Sequence, residues 1–513
     1  LWMREHNRLA EQLAAKHPRW GDERLYQEAR RWVVAEMQAI TYNEFLPAVL
    51  GPNAPQAYHG YDPHLRPDIS NEFAAAAFRV GHTMLPTHLL RVDASGNEIP
   101  AGHLALRDGF FQPQAVREAG VEVLLRGLAR QQQQEIDAQI VDDVRNFMFG
   151  QPGAGGLDLA SLNIQRGREH GLPSYNQLRA TVGLDPVTRF SEITGDPLVA
   201  QQLAATYDTV DDVDAWVGGI CEDHLTGSSL GETFTRIWVE QFTRTRAADR
   251  FWFENVFHGK ELRQLQNLRL ADVLAANGVS GPLQANVFFT PSTLTVRAAA
   301  KTALDITVRV RTDGAEQVEI YDNVRRQVIA QQALSATKRV FIQGGSRNDR
   351  ITIAPAFPLP IEVLGGEGMD SLDYRGTEHN DAVDIYFRQL QSDTAASLNY
   401  GQVEQLNVFG GAGDDRLQVH GRSEARLALL GNAGNDTLLG GEDADILSGG
   451  AGNDLLWGGG GKDWLLAGRG RDRLLTGHGR NRDLTVYWAT PLDDNAHALQ
   501  TLFSMWSVVY RLR

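Results

Sequence analysis

GNAGNDTLL GGEDADILS GGAGNDLLW GGGGKDWLL AGRGRDRLL TGHGRNRDL, residues 431–484, is six consecutive units of nine residues. Glycine recurs at the first, second and fourth places, where it permits turn angles that other residues resist. An aspartate holds the sixth place in five units (Asp436, Asp445, Asp454, Asp463 and Asp472), and an apolar residue follows two places later. A glycine-rich half that turns and a short apolar half that extends are the parts of a wound strand structure. With two units to a coil, turns on one edge lie 18 residues apart, which sets Asp436, Asp454 and Asp472 on one edge and Asp445 with Asp463 on the other.

Calcium suits such turns. It accepts many oxygen ligands at loose angles, so backbone carbonyls and one carboxylate per turn complete its shell. Without a cation the rows of aspartates repel one another. The expectation is that this segment folds with Ca2+, at affinities of roughly 10⁻⁴ to 10⁻³ M. The pattern resembles the RTX β-roll of secreted bacterial proteins, in which calcium sits between stacked turns. Some positions depart from it: Asp443 replaces a turn glycine, Asn481 replaces the last aspartate, and Lys462, Arg469 and Arg471 place positive charge beside ligand positions. GGGGKD at 458–463 is no phosphate-binding loop, because Asp463 stands where a hydroxyl residue is needed.

Upstream, the same turn half recurs at irregular distances: GGSRNDRIT at 344, GGEGMDSLD at 365 and GGAGDDRLQ at 410. Asp370 and Asp415 are therefore further calcium candidates. Residues 291–430 alternate Val, Ile and Thr with polar residues, as in ALDITVRVRTD and AEQVEIYDN, which is the period of half-buried strands. The tail, 485–513, is apolar and aromatic and reads as a cap or a C-terminal export signal.

Residues 1–290 have helical periodicity. In DERLYQEARRWVVAEMQAITYNEFLPAVLG, Leu25, Ala29, Val33, Met37 and Ile40 share a stripe and Pro47 lies beyond its end. Leu1 shows no cap and no charged leader, so the chain reads as cut inside a helix. A net charge of -15 and a pI near 5.4 argue against nucleic acid or anionic membrane as partners. Cys221 is the only cysteine, which excludes an intrachain disulfide and a thiolate metal site. No apolar run reaches the length of a membrane span.

Among the 14 histidines, His82 has the most suggestive surroundings, SNEFAAAAFRVGHTMLPTH. Ser70 caps a helix that Pro86 limits, and Phe78, Arg79 and His82 recur at helical spacing beside Gly81 and four alanines. An imidazole for iron, a guanidinium for a carboxylate and small residues to admit a macrocycle are the parts of a haem site. On these residues alone the simpler reading is a core histidine with its hydrogen bonds satisfied.

AFRVGHTMLP resembles the proximal-histidine helix of the animal haem peroxidases, the family of the myeloperoxidase, peroxidasin and peroxinectin type. MREHNRLAEQL, DERLYQEARRWVVAEMQAITYNEFLPAVLG, SLNIQRGREHGLPSYN, LADVLAANG and ADRFWFENVF resemble family segments in the family's order, across residues 1 to about 290. The resemblance implies a multidomain chain: a mainly α-helical haem peroxidase-like domain over 1–290, an all-β region over 291–430, and a parallel β-roll over 431–484. It makes His82 the axial iron ligand, Arg79 a propionate partner, Asn163 the acceptor behind the imidazole, and Arg166 a second propionate or structural contact. A surface ion pair is the simpler role for Arg166. His6 and His170 read as structural residues.

The resemblance further implies oxidation of a small reducing substrate (halide, pseudohalide or phenol) by hydrogen peroxide. The distal residues that cleave peroxide in this family lie before MREHNR, so none is assigned here and the chain reads as the proximal part of a working peroxidase. Two alternatives stand beside it. One is a fatty-acid oxygenase, against which Arg79 argues by standing where those enzymes place a radical-forming tyrosine. The other is a calcium-dependent adhesion or matrix protein with an inactive peroxidase scaffold. Repeats of this kind suggest one-step bacterial export to calcium-rich extracellular surroundings.

Overall fold

The computed structural model describes residues 1–513 apart from 151–154, 282, 300, 478–482, 491–492 and 512–513, with side chains described as far as 504. Asn481 lies outside the described residues. The chain divides into two compact units, Leu1–Pro291 and Ser292–Arg513.

The first unit is helical. Helix α1 (Trp2–Lys16) packs on α2 (Asp22–Ile40), which runs on through a π-helical turn, Thr41–Phe45, into α3 (Leu46–Leu50). Pro47 therefore lies within the helical run, not beyond it. The π turn makes this possible by bonding Leu46 N–H to the Thr41 carbonyl, five residues back, at the point where Pro47 offers no N–H of its own. The buried stripe of α2 also differs from the expected one. Ala29, Val33, Glu36 and Ile40 face inward, whereas Met37 is exposed. Glu36 and Met37 both fit the three- and four-residue spacing between Val33 and Ile40, and it is the acid that is buried.

The next helix also departs from expectation. Ser70 caps α4 (Asn71–Ala75) through Phe73 N–H, but the helix then tightens into a 3-10 segment, Ala77–His82. With three residues per turn, Arg79 and His82 fall on one line. Ala75, Ala76 and Ala77 turn into the core, where Trp238 Nε1 donates to the Ala77 carbonyl at 2.9 Å. Three of the four alanines thus serve packing.

The second unit consists of two ten-stranded sheets. The first extends from Leu484–Val486 at one edge to Gln327–Ala333 at the other; the second extends from Arg473–Leu475 to Thr293–Arg297. Successive strands alternate between sheets along the repeats, and pairing is parallel. Leu429, Leu447 and Leu465 align in one sheet, and Leu438, Leu456 and Leu474 in the other. These leucines, all but Leu429 two places after an aspartate, line a single core that also takes in Ile306, Ile351, Leu372 and Leu406 from upstream strands. Two hairpins interrupt the parallel order, one around Gln317–Asp322 and one around Gln389–Ser392. The region before the repeats therefore shares its sheets and its core with them.

The C-terminal helix, Ala496–Arg511, lies along the first sheet. Leu499 and Phe503 pack on Leu430, Ile446 and Trp464, with Trp464 and Phe503 edge to face at 5.2 Å. Gln500 is fully buried beside the Arg426 carbonyl and Asn407.

Candidate functional site

In the helical unit, two elements bring the sequence candidates together. The 3-10 segment presents Arg79 and His82, and helix Leu159–Glu169, capped by Asp158 through Ala160 and Ser161 N–H, presents Asn163. Asn163 is fully buried. Its amide lies against His82 Nδ1, with Oδ1 at 3.1 Å and Nδ2 at 2.9 Å, and Arg79 Nη1 donates to the same Oδ1 at 3.2 Å. Arg79 already fixes Oδ1 as an acceptor, so the consistent arrangement has His82 Nδ1–H donating there as well. That leaves Nε2 as the ring's lone-pair atom, and among the described residues no hydrogen bond reaches it. Burial lowers the His82 pKa, Asn163 opposes this, and Arg79 adds to the lowering, so the ring is held neutral.

Arg79 is the other unsatisfied group. Its Nε is buried without a partner, and no carboxylate among the described residues pairs with it. Burial and the nearby Arg166 both lower its pKa. Two guanidinium groups that repel each other, beside a neutral imidazole with a free lone pair, call for an anion and a metal together. A Cβ at Gly81 would meet nothing within 4 Å, and Phe78 is 52% exposed, so the surroundings are open and apolar. An imidazole nitrogen without a partner and a guanidinium without a carboxylate are a donor set of the kind that a haem would use. Arg166 is exposed, with Nε 3.8 Å from Glu169, the ion pair that its helical spacing offers. His6 Nε2 lies 3.1 Å from the Tyr26 carbonyl and His170 Nδ1 3.2 Å from Asn71 Oδ1, which are structural contacts.

In the sheet unit, the aspartates stand in two columns, each at the residue before a strand. One column is Asp381, Asp415, Asp436, Asp454 and Asp472; the other is Asp349, Asp370, Asp445, Asp463 and Asp483, with Glu404 and Ala425 taking the aspartate's place in two of its coils. Wherever two successive members are acidic, the backbone N–H of one donates to the carboxylate of the next. Asp436 N–H donates to Asp454 Oδ1 at 2.9 Å, Asp454 N–H to Asp472 Oδ1 at 3.0 Å, and Asp445 N–H to Asp463 Oδ1 at 3.0 Å. The second oxygen is different. Oδ2 of Asp370, Asp415, Asp436, Asp454 and Asp463 is buried with no hydrogen-bond partner. Asp445 differs in that its Oδ2 accepts Gly441 N–H at 2.8 Å. Burial pushes Asp436 and Asp445 up to about 7, Asp454 to about 6 and Asp463 to about 8.

Glycine is required for this arrangement. A Cβ on Gly449 would meet Asp454 Oδ2 and, at 2.6 Å, the Ala467 carbonyl oxygen of the next coil. Gly431 has the same pair of oxygens above it, from Asp436 and Gly449. Each turn thus gathers a carboxylate oxygen and a carbonyl oxygen where a side chain would otherwise sit. Among the described residues no three His, Cys, Asp or Glu side chains converge to hold a metal. A cation here draws on backbone oxygens, as hard cations accept. Sequence reading missed Asp349, Asp381, Glu404 and Asp483; the signal available was an acidic residue directly before a strand-like run.

The chain belongs to the animal haem peroxidase family, whose match covers residues 1–288. The RTX calcium-binding nonapeptide repeat family matches at residues 429–456, 439–474 and 457–482. Peroxinectin A of Dictyostelium discoideum is 43% identical over 289 residues, covering 56% of this chain and 54% of the relative. Peroxidasin of Drosophila melanogaster is 39% identical over 289 residues, covering 54% and 19%. The solved structure of peroxidase A from Dictyostelium discoideum superposes with a TM-score of 0.52 at 43% identity, covering 56% of this chain and 55% of that one. The chain thus spans about half the length of peroxinectin A or less of the other curated relatives it matches. No described helix is long and apolar enough to cross a membrane.

Proposed function

We propose that the helical unit forms the proximal half of a haem peroxidase site and that the sheet unit is a calcium-loaded β-roll acting outside the cell. The observation behind the first part is the His82 imidazole, tied to Asn163 through Nδ1 and unengaged at Nε2. When bound, haem supplies two-electron oxidation by hydrogen peroxide, followed by return of those electrons from a halide, pseudohalide or phenol. This chain's residues do the positioning. Asn163 keeps the proton on Nδ1 and so presents the Nε2 lone pair to iron. A propionate is held by Arg79, and Phe78 with Trp238 (ring centroids 5.5 Å apart) keeps one flank apolar. Proton movement at peroxide is assigned to none of these residues.

The chain bound to hemin is the test. We expect a Soret band and a nitrogen-ligated iron signal that are lost in His82→Ala and altered in Asn163→Leu. A spectrum unchanged by His82→Ala removes the proposal. For the roll, the supporting observation is the row of buried, partnerless Oδ2 atoms at Asp436, Asp454 and Asp463, with Asp445 and Asp472 completing their columns. Extracellular calcium, at high concentration, matches the weak affinity such sites have.

A further inference from the structure

The glycine-rich turns upstream of residue 429 lie outside the segments that the repeat family matches, yet they contain the same atoms in the same places. Asp370 and Asp415 are 1% and 2% exposed, and Oδ2 of each is buried without a hydrogen-bond partner. The other oxygen of each is occupied: Asp349 N–H donates to Asp370 Oδ1 at 2.7 Å, and Asp381 N–H donates to Asp415 Oδ1 at 2.8 Å. Above Gly410, where a Cβ would sit, Asp415 Oδ2 meets the Gly431 carbonyl oxygen, 2.8 Å from that point. Above Gly365, Asp370 Oδ2, again at 2.8 Å, meets the Gln402 carbonyl oxygen. These are the two oxygens that gather above Gly431 and Gly449 in the recognised repeats.

A buried carboxylate oxygen with no donor is costly, and a carbonyl facing it makes the cost larger, because both are acceptors. No protein donor reaches Oδ2 of Asp370 or of Asp415. Asp349 and Asp381 show the relieved alternative, since their Oδ2 atoms accept Gly345 N–H at 2.8 Å and Thr377 N–H at 2.6 Å. At Asp370 the neighbouring coil adds more acid: Glu404 Oε2 accepts Asp370 N–H at 2.7 Å. A hard divalent cation satisfies two acceptors at once, where a single proton satisfies one.

We propose that two divalent-cation sites of the calcium class lie at the turns 365–370 and 410–415, with Asp370 and Asp415 as their carboxylate ligands. The calcium-bound stack then begins well before the nine-residue repeats and extends into the region whose strands share their core. This rests on the calcium reading of the repeats and enlarges it. Ala425 interrupts the Asp349-to-Asp483 column, so the Asp370 site stands apart from those at Asp445 and Asp463, whereas Asp415 adjoins Asp436 directly.

The experiment is calcium binding by the full chain, counted by equilibrium dialysis with metal analysis, in wild type, Asp370→Asn, Asp415→Asn and Asp454→Asn. Asparagine retains the Oδ1 acceptor for the laced N–H while removing the charge. Each of the three variants should lose about one bound ion. Unchanged binding in Asp370→Asn and Asp415→Asn, with loss in Asp454→Asn, overturns the upstream sites and leaves the repeats calcium-bound. No loss in any variant overturns both. Should a variant fail to fold, amide exchange of the wild type decides. Calcium should slow exchange at 365–376 and 410–419; protection confined to 431–475 refutes the inference.

Discussion

Asn163 serves two donors with one amide, and that amide is fully buried. Asn163→Leu keeps the volume and strands both; a loss of about 2–3 kcal/mol in urea unfolding is expected. A second residue governs behaviour with pH. Burial pushes Glu36 up to about 8 from 4.5, with Glu5 adding and Arg8 opposing. Burial also raises Glu5, but Arg8 and Asn277 outweigh it, and its pKa ends lower. A carboxyl whose folded pKa is raised gives stability that is complete below its unfolded pKa and is lost as pH climbs to the folded value. Stability should therefore fall between about pH 4.5 and pH 8, and Glu36→Gln should flatten that slope, as urea midpoints across the range will show. A slope identical to wild type refutes this assignment. His82, Arg79 and Asn163 were legible because motif identity brought the residues with it. Glu36 was not, since a hydrophobic stripe is sought among hydrophobic residues and a buried acid is invisible to that search.

Among the elements, the turns of the sheet unit depend on what glycine lacks. Gly449→Ala would drive a methyl into Asp454 Oδ2 and the Ala467 carbonyl, and we expect a loss of about 1–3 kcal/mol by thermal or urea unfolding. Stability equal to wild type would mean that the turn is looser than its packing indicates. The period of nine was legible in the repeats because every insertion is absent there. The upstream coils were legible only as scattered turns. Their hairpins at Gln317–Asp322 and Gln389–Ser392 lengthen the chain between turns, which hides the period from a reader of sequence. The short 3-10 segment was hidden for another reason: alanines favour an α-helix locally, and the core into which Ala75–Ala77 pack overrides that preference.

On the scale of the whole molecule, two units with separate cores face different demands. The helical core around Phe234, Trp238 and Leu178 contains no acidic column, whereas the sheet core is flanked by two. Chelation should therefore remove strand signal in circular dichroism and leave the helical signal in place. Equal strand content with and without chelator would show the acidic columns to be stable by themselves. The animal peroxidase family and the repeat family could both be read from motifs, while the continuity of residues 292–430 with the repeats required the strand pairing.

The tail helix has a landing place only when three coils are already wound. Leu430, Ile446 and Trp464 come from neighbouring strands, and no one of them offers Leu499 and Phe503 a pocket alone. Before those strands have stacked, Leu499 and Phe503 have no apolar surface of this unit to pack on. Once the coils close, Leu499 and Phe503 are buried, so their seating records that winding has finished.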